Sequence, residues 1–377
     1  MSNTRIRGRV SRGVVPVAAL GAMMLLSACG GSSSSSGSSP GSSAGKPAGD
    51  GKPAKLAIVV PAPSRYWNEP WAAAVKDAGK KYGFSGDFVG PPGSQVFNLT
   101  QQNSLIDSLA AKGYNGFGLF PGDAHGSNAE LQKLNSRGIK SIAVNGCTND
   151  PTPALFCVST NVGPAAKYQA QELIKAIGGK GDIALLTSQA TDTNTQLRIK
   201  AVKEAVAETG GKVKLVQTVT DPGTPQDATN AISALLASKG GSLAGILSTS
   251  ENPSVSMATV LTDNAQYRHI KFIGAENSPQ VMSAIDKGYV TGTLFQNTYG
   301  MAYVASYSLY KVIQEGCTVR SDATFQSNDQ TKKLLEAGVL VVDKSNYSQY
   351  SGKFESLPAD TDKLMKAVDS QILSCSK

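Results

Sequence analysis

The chain has 377 residues, with 36 Lys and Arg against 28 Asp and Glu, a formal net charge of +8, and 40% hydrophobic residues. Arg5, Arg7, Arg9 and Arg12 supply half of that excess, so the remainder carries only +4 and lacks the basic footprint of a nucleic-acid binder. His125 and His269 are the only histidines and form no Cys/His metal spacing, so neither a metal nor another cofactor is expected.

The four arginines precede an apolar run at residues 14–26, broken by Pro16 and Gly21. The run is too short for a permanent membrane span and reads, with its basic flank, as an export signal over residues 1–28. It ends in Leu26-Ser27-Ala28-Cys29, which resembles the bacterial lipobox. That resemblance implies lipidation of Cys29 and a mature protein that begins there. Secretion after an ordinary small-residue cleavage site is the alternative. Residues 29–54 are rich in Gly, Ser and Pro and read as a flexible tether. The expected address is the outer face of the cytoplasmic membrane, with the membrane touched through the lipid only.

From residue 55 onward, apolar β-rich runs alternate with helical periodicity. A strand is predicted at 55–60, helices at 71–82 and 99–112, a strand at 116–120, a helix at 128–137 and a strand at 141–144. The series continues with a helix at 165–177, a strand at 182–186, a helix at 197–208, a strand at 212–219, a helix at 228–238 and a strand at 244–247. A helix at 254–265, a strand at 271–273, a helix at 281–287, a strand at 291–295 and a helix at 301–314 complete it. Such alternation makes parallel sheets covered by helices on both faces, and there are too many units for one open sheet. The expected fold class is therefore α/β, with two doubly wound parallel-sheet lobes.

One of the five cysteines, Cys29, is assigned to lipid, which leaves an even number in an exported protein. Cys147 and Cys157 flank a short loop with Pro151 and Pro153 and are the safer disulfide pair; Cys317 and Cys375 are the remaining candidates. Buried free thiols are the alternative for the local pair.

Open α/β sheets bind ligands beyond the carboxyl ends of their strands. Here those positions hold Ser64 to Trp71, Pro121-Gly122-Asp123, Asn145-Gly146-Cys147, Thr187-Ser188-Gln189 with Arg198 on the next helix, Thr249 to Asn252, Ala275-Glu276-Asn277, and Gln296-Asn297. Sugars and polyols present C–H faces that stack on Trp or Tyr, and hydroxyls that donate to carboxylates and accept from Arg or amides.

Residues 55–314 resemble the type I periplasmic sugar-binding proteins, the solute receptors of ABC importers. The resemblance is carried by residues 55–60 with Tyr66-Trp67, by residues 118–123, by Thr195-Gln-Leu-Arg198 with Ala201 and Ala205, by Ile273-Gly-Ala-Glu276, and by Gly292-Thr-Leu-Phe-Gln296. The tail around residues 338–350 is similar to the longer ends of the rhamnose and autoinducer-2 receptors. The resemblance implies a three-segment hinge, an N-terminal lobe at 55–147 and 298–318, and a C-terminal lobe at 148–297 and 319–377. It implies a small sugar or polyol ligand contacted by Tyr66, Trp67, Trp71, Asp123, Asn145, Arg198, Ser250, Glu276 and Gln296. Permease subunits are the implied protein partners, and the receptor itself is expected to be a monomer. Glu276 stands where an Asp is usual and Ser250 where an Asn is common, which leaves the ligand's identity open.

Each of these residues has a plainer use. Trp67 or Trp71 could pack the first helix on its sheet, Asp123 could cap a helix, Glu251 and Asn252 could form an N-terminal cap before Pro253, Asn145 could close a turn and Gln296 could serve the hinge. Arg198 could be a solvated charge or an interlobe ion pair, but a cation in the first helical turn opposes the macrodipole. No Walker loop, GxGxxG, HExxH or CxxC occurs, so no enzyme is expected. A receptor that senses its ligand without feeding transport is the alternative function. Ligand capture is expected by closure of the lobes about crossings near 148–160, 296–299 and 317–324.

Overall fold

Leu56 and Ile58 face one side of the first strand and Ala57 and Val59 the other, and all four are buried. In the second half, Ala184 and Leu186 alternate in the same way with Ile183 and Leu185. Strands apolar on both faces belong in sheets covered by helices on both sides. The computed structural model has this architecture. It describes residues 52–62, 65–93, 97–220, 224–350 and 358–375, all within one compact unit. The expected export signal, Cys29 and the expected tether up to residue 51 lie outside the described residues, as do Ser64 and the Arg65 side chain.

The first lobe is built from β1 (Lys55–Val59), α1 (Arg65–Tyr82), β2 (Ser85–Val89), α2 (Leu99–Ala111), β3 (Gly116–Leu119), α3 (Ser127–Ser136), β4 (Lys140–Val144) and β5 (Cys157–Ser159). The second lobe follows with α4 (Val162–Ala176), β6 (Gly181–Leu186), α5 (Thr193–Ala207), β7 (Val213–Val219) and α6 (Pro225–Lys239). It continues through β8 (Leu243–Ser248), α7 (Glu251–Asp263), β9 (Lys271–Ala275), α8 (Pro279–Asp286) and β10 (Gly292–Gln296). The chain then returns to the first lobe through α9 (Thr298–Gln314), β11 (Thr318–Val319) and β12 (Leu334–Glu336). It revisits the second with β13 (Val339–Asp343) and α10 (Tyr347–Tyr350). It ends on the first with α11 (Pro358–Ala367) and β14 (Leu373–Ser374), where Leu364, Val368 and Leu373 join the core beside α9.

The sheet orders are β12-β5-β4-β3-β1-β2 and β13-β10-β9-β8-β6-β7, so β4 of one lobe occupies the place of β9 in the other. Within both sheets the pairings are parallel except that of β13 with β10. This is the expected pair of doubly wound lobes.

Several boundaries differ from the sequence reading. The first helix begins at Arg65 instead of residue 71 and carries Pro70 inside it. Pro70 makes a helix start plausible locally, but Tyr66, Pro70, Trp71, Ala74, Val75 and Ala78 make one continuous buried stripe at helical spacing, and that burial overrides the local preference. The small, polar β2 and the three-residue β5 give no periodic signal and were not predicted as strands. Because β5 and β12 are strands of the first sheet, the first lobe runs on to Ser159 and includes Leu334–Glu336, not only 55–147 and 298–318. The segment from 319 is likewise shared between the lobes. Crossings lie at residues 160–161, at Asn297 and at 337–338, while α10 packs on the second lobe and α11 on the first. The crossing expected at 317–324 is absent; Cys317 is buried in the first lobe's core and β11 pairs with β14.

Cys147 and Cys157 are disulfide-bonded, with Cα atoms 5.5 Å apart, and close the loop between β4 and β5. Cys317 and Cys375 are bonded as well, tying the start of β11 to the chain end.

Candidate functional site

The carboxyl ends of both sheets face a cleft of about 670 Å³ between the lobes. Its first-lobe wall contains Pro61, Ala62, Trp67, Phe97, Phe120 and Asn145. Trp67 is held edge-on by Tyr66, Trp71 and Phe120, with centroids 4.8, 5.4 and 5.8 Å away. Gly122 permits the close approach of Phe97: a Cβ there would meet the Phe97 ring at 2.5 Å.

The second-lobe wall is polar. Asp192 caps α5, its carboxylate accepting from the backbone N–H groups of Asn194 and Thr195 at 3.3 and 2.8 Å. That cap fixes the first turns of α5 so that Asn194 and Arg198 line the cleft. Burial pushes the Arg198 guanidinium down from its ordinary value, while Asp192, Glu276 and Tyr66 support its charge. Ser250 is the N-cap residue of α7, and Glu251 follows in the first turn, where a carboxylate suits the helix dipole.

Asn145 and Glu276 hold matching positions, just past β4 and β9. Each has a positive φ, 63° and 74°, and each is almost fully buried, at 1% and 7% exposure. Asn tolerates the left-handed region well, whereas a Glu there is uncommon. Their backbones are pinned: Glu276 N–H donates to Leu294 O at 2.8 Å and its carbonyl accepts from Thr293 Oγ1 at 2.7 Å. Asn145 N–H donates to Val158 O at 2.9 Å, and its carbonyl accepts from Ser159 Oγ and, across the lobes, from Asn194 Nδ2 at 3.4 Å. Asn145 Oδ1 and Glu276 Oε2 are buried without a hydrogen-bond partner. Desolvation, with Glu251 nearby, raises the Glu276 carboxyl well above its ordinary value, and Arg198 opposes that shift only in part. Two acceptors held at a cost to backbone and solvation, one from each lobe, are positioned for donors of a ligand.

Of the residues singled out in the sequence, Trp67, Asn145, Arg198, Ser250 and Glu276 line the cleft together. Tyr66 is buried behind them, its hydroxyl accepting from Gln296 N–H at 3.1 Å, so both sit beside the crossing at Asn297. Burial, then Glu276, raises the Tyr66 phenol well above its usual range, which keeps it neutral. Trp71 does not line the cleft: it is fully buried in the first-lobe core against Trp67, Phe88 and Phe120. Asp123 is also displaced from its expected role. It is exposed, and its Oδ1 accepts from the N–H groups of His125 and Gly126 at 2.9 and 2.7 Å, closing the turn into α3. Sequence reasoning missed Phe97 and Phe120. Phe120 ends a strand and could have been flagged by position; Phe97 lies in an aperiodic loop and left no signal. Among the described residues, Glu315, Cys317 and Cys375 are the one cluster with donor atoms close enough for a metal, and both sulfurs are in a disulfide.

Residues 56–316 match the family model of the periplasmic binding protein domain. The chain is 21% identical over 242 residues to a xylitol-binding protein of Mycolicibacterium smegmatis, covering 64% of this chain and 68% of that protein. It is similar in structure to an ABC transporter solute-binding protein of Burkholderia graminis in complex with D-arabinose, with a TM-score of 0.68 and 21% identity, over 81% of this chain and 99% of that one. A periplasmic solute-binding protein of Actinobacillus succinogenes with bound D-allose gives a TM-score of 0.68 at 17% identity, over 79% and 100% of the two chains. These structural likenesses carry the fold, and the match to the family model spans more than half the sequence. The chain belongs to the periplasmic binding protein family.

Proposed function

We propose that the protein is an extracytoplasmic receptor that captures a small sugar or sugar alcohol between its lobes and delivers it to an ABC permease. The observation that carries this reading is the pair of buried, unpartnered acceptors, Asn145 Oδ1 and Glu276 Oε2, at matched strand ends across the cleft. Ligand hydroxyls would donate to them, Arg198 would donate to ligand oxygens, and Trp67 would stack on a C–H face. The names of the xylitol-, arabinose- and allose-binding relatives agree with this chemistry. The family and its structural neighbours are binding proteins, not enzymes.

Closure of the lobes would complete the contacts, and the closed form would be the one a permease recognises. Processing after residue 28, lipid on Cys29 and the tether at 29–54 would hold this monomeric receptor at the membrane while leaving it reach. No helix among the described residues is long and apolar enough to cross a membrane.

A thermal-shift screen of the folded part against pentoses, hexoses, deoxysugars, alditols and amino acids tests the ligand class. Millimolar ligand over a micromolar site adds about 4 kcal/mol of stability. A shift with a sugar or alditol is the expected result; a shift with amino acids alone overturns the assignment. A Cys29→Ser variant that stays with the membrane fraction would overturn the anchor.

A further inference from the structure

Where β5 and β12 leave the first sheet side by side, the two crossings are bonded to each other. The parallel ladder pairs Leu334 with Cys157 and Glu336 with Ser159, and Ala337 N–H extends it by donating to Ser159 O at 2.9 Å. Beyond that point the chains become α4 and β13 of the second lobe, and the ladder cannot continue. The Glu336 carboxylate takes over. Its Oε2 accepts from Asn161 N–H at 2.6 Å and its Oε1 from Gly338 N–H at 3.2 Å, while Thr160 Oγ1 donates to Gly338 O at 3.2 Å. Asn161 is the N-cap residue of α4, and its own side chain makes no capping bond. Gly338 has φ 84°, a conformation that favours glycine, and a Cβ there would come within 3.4 Å of Asp360 Oδ2 at the start of α11.

We infer that Glu336 is a hinge clasp: from the last position of a first-lobe strand, its carboxylate grips the residues just before two second-lobe elements and makes the two crossings turn as one. Lobe closure changes backbone torsions at the crossings, and two chains free to twist separately would allow sliding and splaying as well as rotation. A charge-assisted acceptor shared by the two N–H groups restricts them to a common axis. Glu336 is thus a positioning residue for ligand capture, acting through the lobes without touching the ligand, and the inference holds whatever the ligand is. Burial raises the Glu336 carboxyl above its ordinary value, and the bonds from Asn161 and Gly338 offset that shift only in part.

The test reads the interlobe distance in the unliganded protein. Nitroxide labels at Ser136→Cys on α3 and Ser238→Cys on α6 report one lobe against the other by pulsed electron resonance. In Glu336→Ala the distance distribution should broaden about twofold, because both grips are lost. Glu336→Gln keeps one acceptor oxygen and should fall between the two. Thr160→Val, which removes one auxiliary bond, should broaden it less than Glu336→Ala, and it carries the test together with the Gln variant if the Ala variant fails to fold. A distribution as narrow as that of the unsubstituted protein in every folded variant, with only the melting temperature lowered, would overturn the clasp and leave Glu336 a merely structural role.

Discussion

Trp67 and Trp71 are one helical turn apart and look alike in the sequence, but they should respond to substitution in opposite ways. Trp71 has no exposed surface, and its ring meets Trp67, Phe88 and Phe120 at 5.4, 6.3 and 6.3 Å. Truncating a fully buried Trp to Ala costs about 3–5 kcal/mol in transfer and cavity terms. At roughly 2–4 °C per kcal/mol for a lobe of ordinary domain size, Trp71→Ala should lower Tm by about 6–20 °C. Its indole N–H is buried without a partner, so Trp71→Phe removes an unsatisfied donor along with the volume and should cost less, under about 2 kcal/mol. Trp67 is partly exposed and lines the cleft, so Trp67→Ala should leave Tm closer to that of the parent and reduce the ligand-induced shift. Circular dichroism melts without ligand, followed by calorimetry with the best sugar or alditol from the screen, separate the two. If Trp71→Ala melts within about 2 °C of the parent and loses ligand binding, the assignment of this ring to the core is wrong.

Arg198→Ala should weaken ligand binding roughly 10- to 150-fold, the value of a charged hydrogen bond, whereas Asp123→Ala should leave affinity within about twofold and cost about 1 kcal/mol through its lost turn. Calorimetry checks both, and a ligand-binding defect in Asp123→Ala would restore it to the site. Because the folded protein holds the Glu276 carboxyl above its ordinary value of 4.5, the unfolded chain releases that proton first. The Glu276 contribution to unliganded stability should therefore fall as pH rises above that value toward the raised one, and Glu276→Gln should flatten that slope; parallel Tm–pH curves for the two proteins would refute this. The Cys317–Cys375 bond spans 58 residues and Cys147–Cys157 only 10. Chain entropy gives about 4 kcal/mol for the first and about 3 kcal/mol for the second, so paired Ser variants should melt in that order in scanning calorimetry.

The alternation of β-rich and amphipathic segments was enough to establish two doubly wound lobes, because strands apolar on both faces and helices at the 3.6 period can bury themselves in few other ways. Strand ends were legible for the same reason, which is why the sequence points to Asn145, Ser250 and Glu276; Arg198 stands out instead as a cation expected in a first helical turn, and α5, which starts at Thr193, carries it in the second turn. The sequence also brought Trp67 and Trp71 forward together, but only packing decides which ring faces the cleft and which fills the core. Asp123 shows a similar limit. An Asp after a strand serves a ligand or a turn equally well, and the bonds from His125 and Gly126 assign it to the turn. The strands β2, β5 and β12 are too short or too polar to carry a period of their own, and they exist because a neighbouring strand offers its edge. The third crossing at 337–338, and with it the role of Glu336, depends on that pairing. Local patterns report what each segment can bury; which atoms remain unpaired at a strand end, and which chains turn together, depends on partners 10 to more than 200 residues away and is decided only when the lobes assemble.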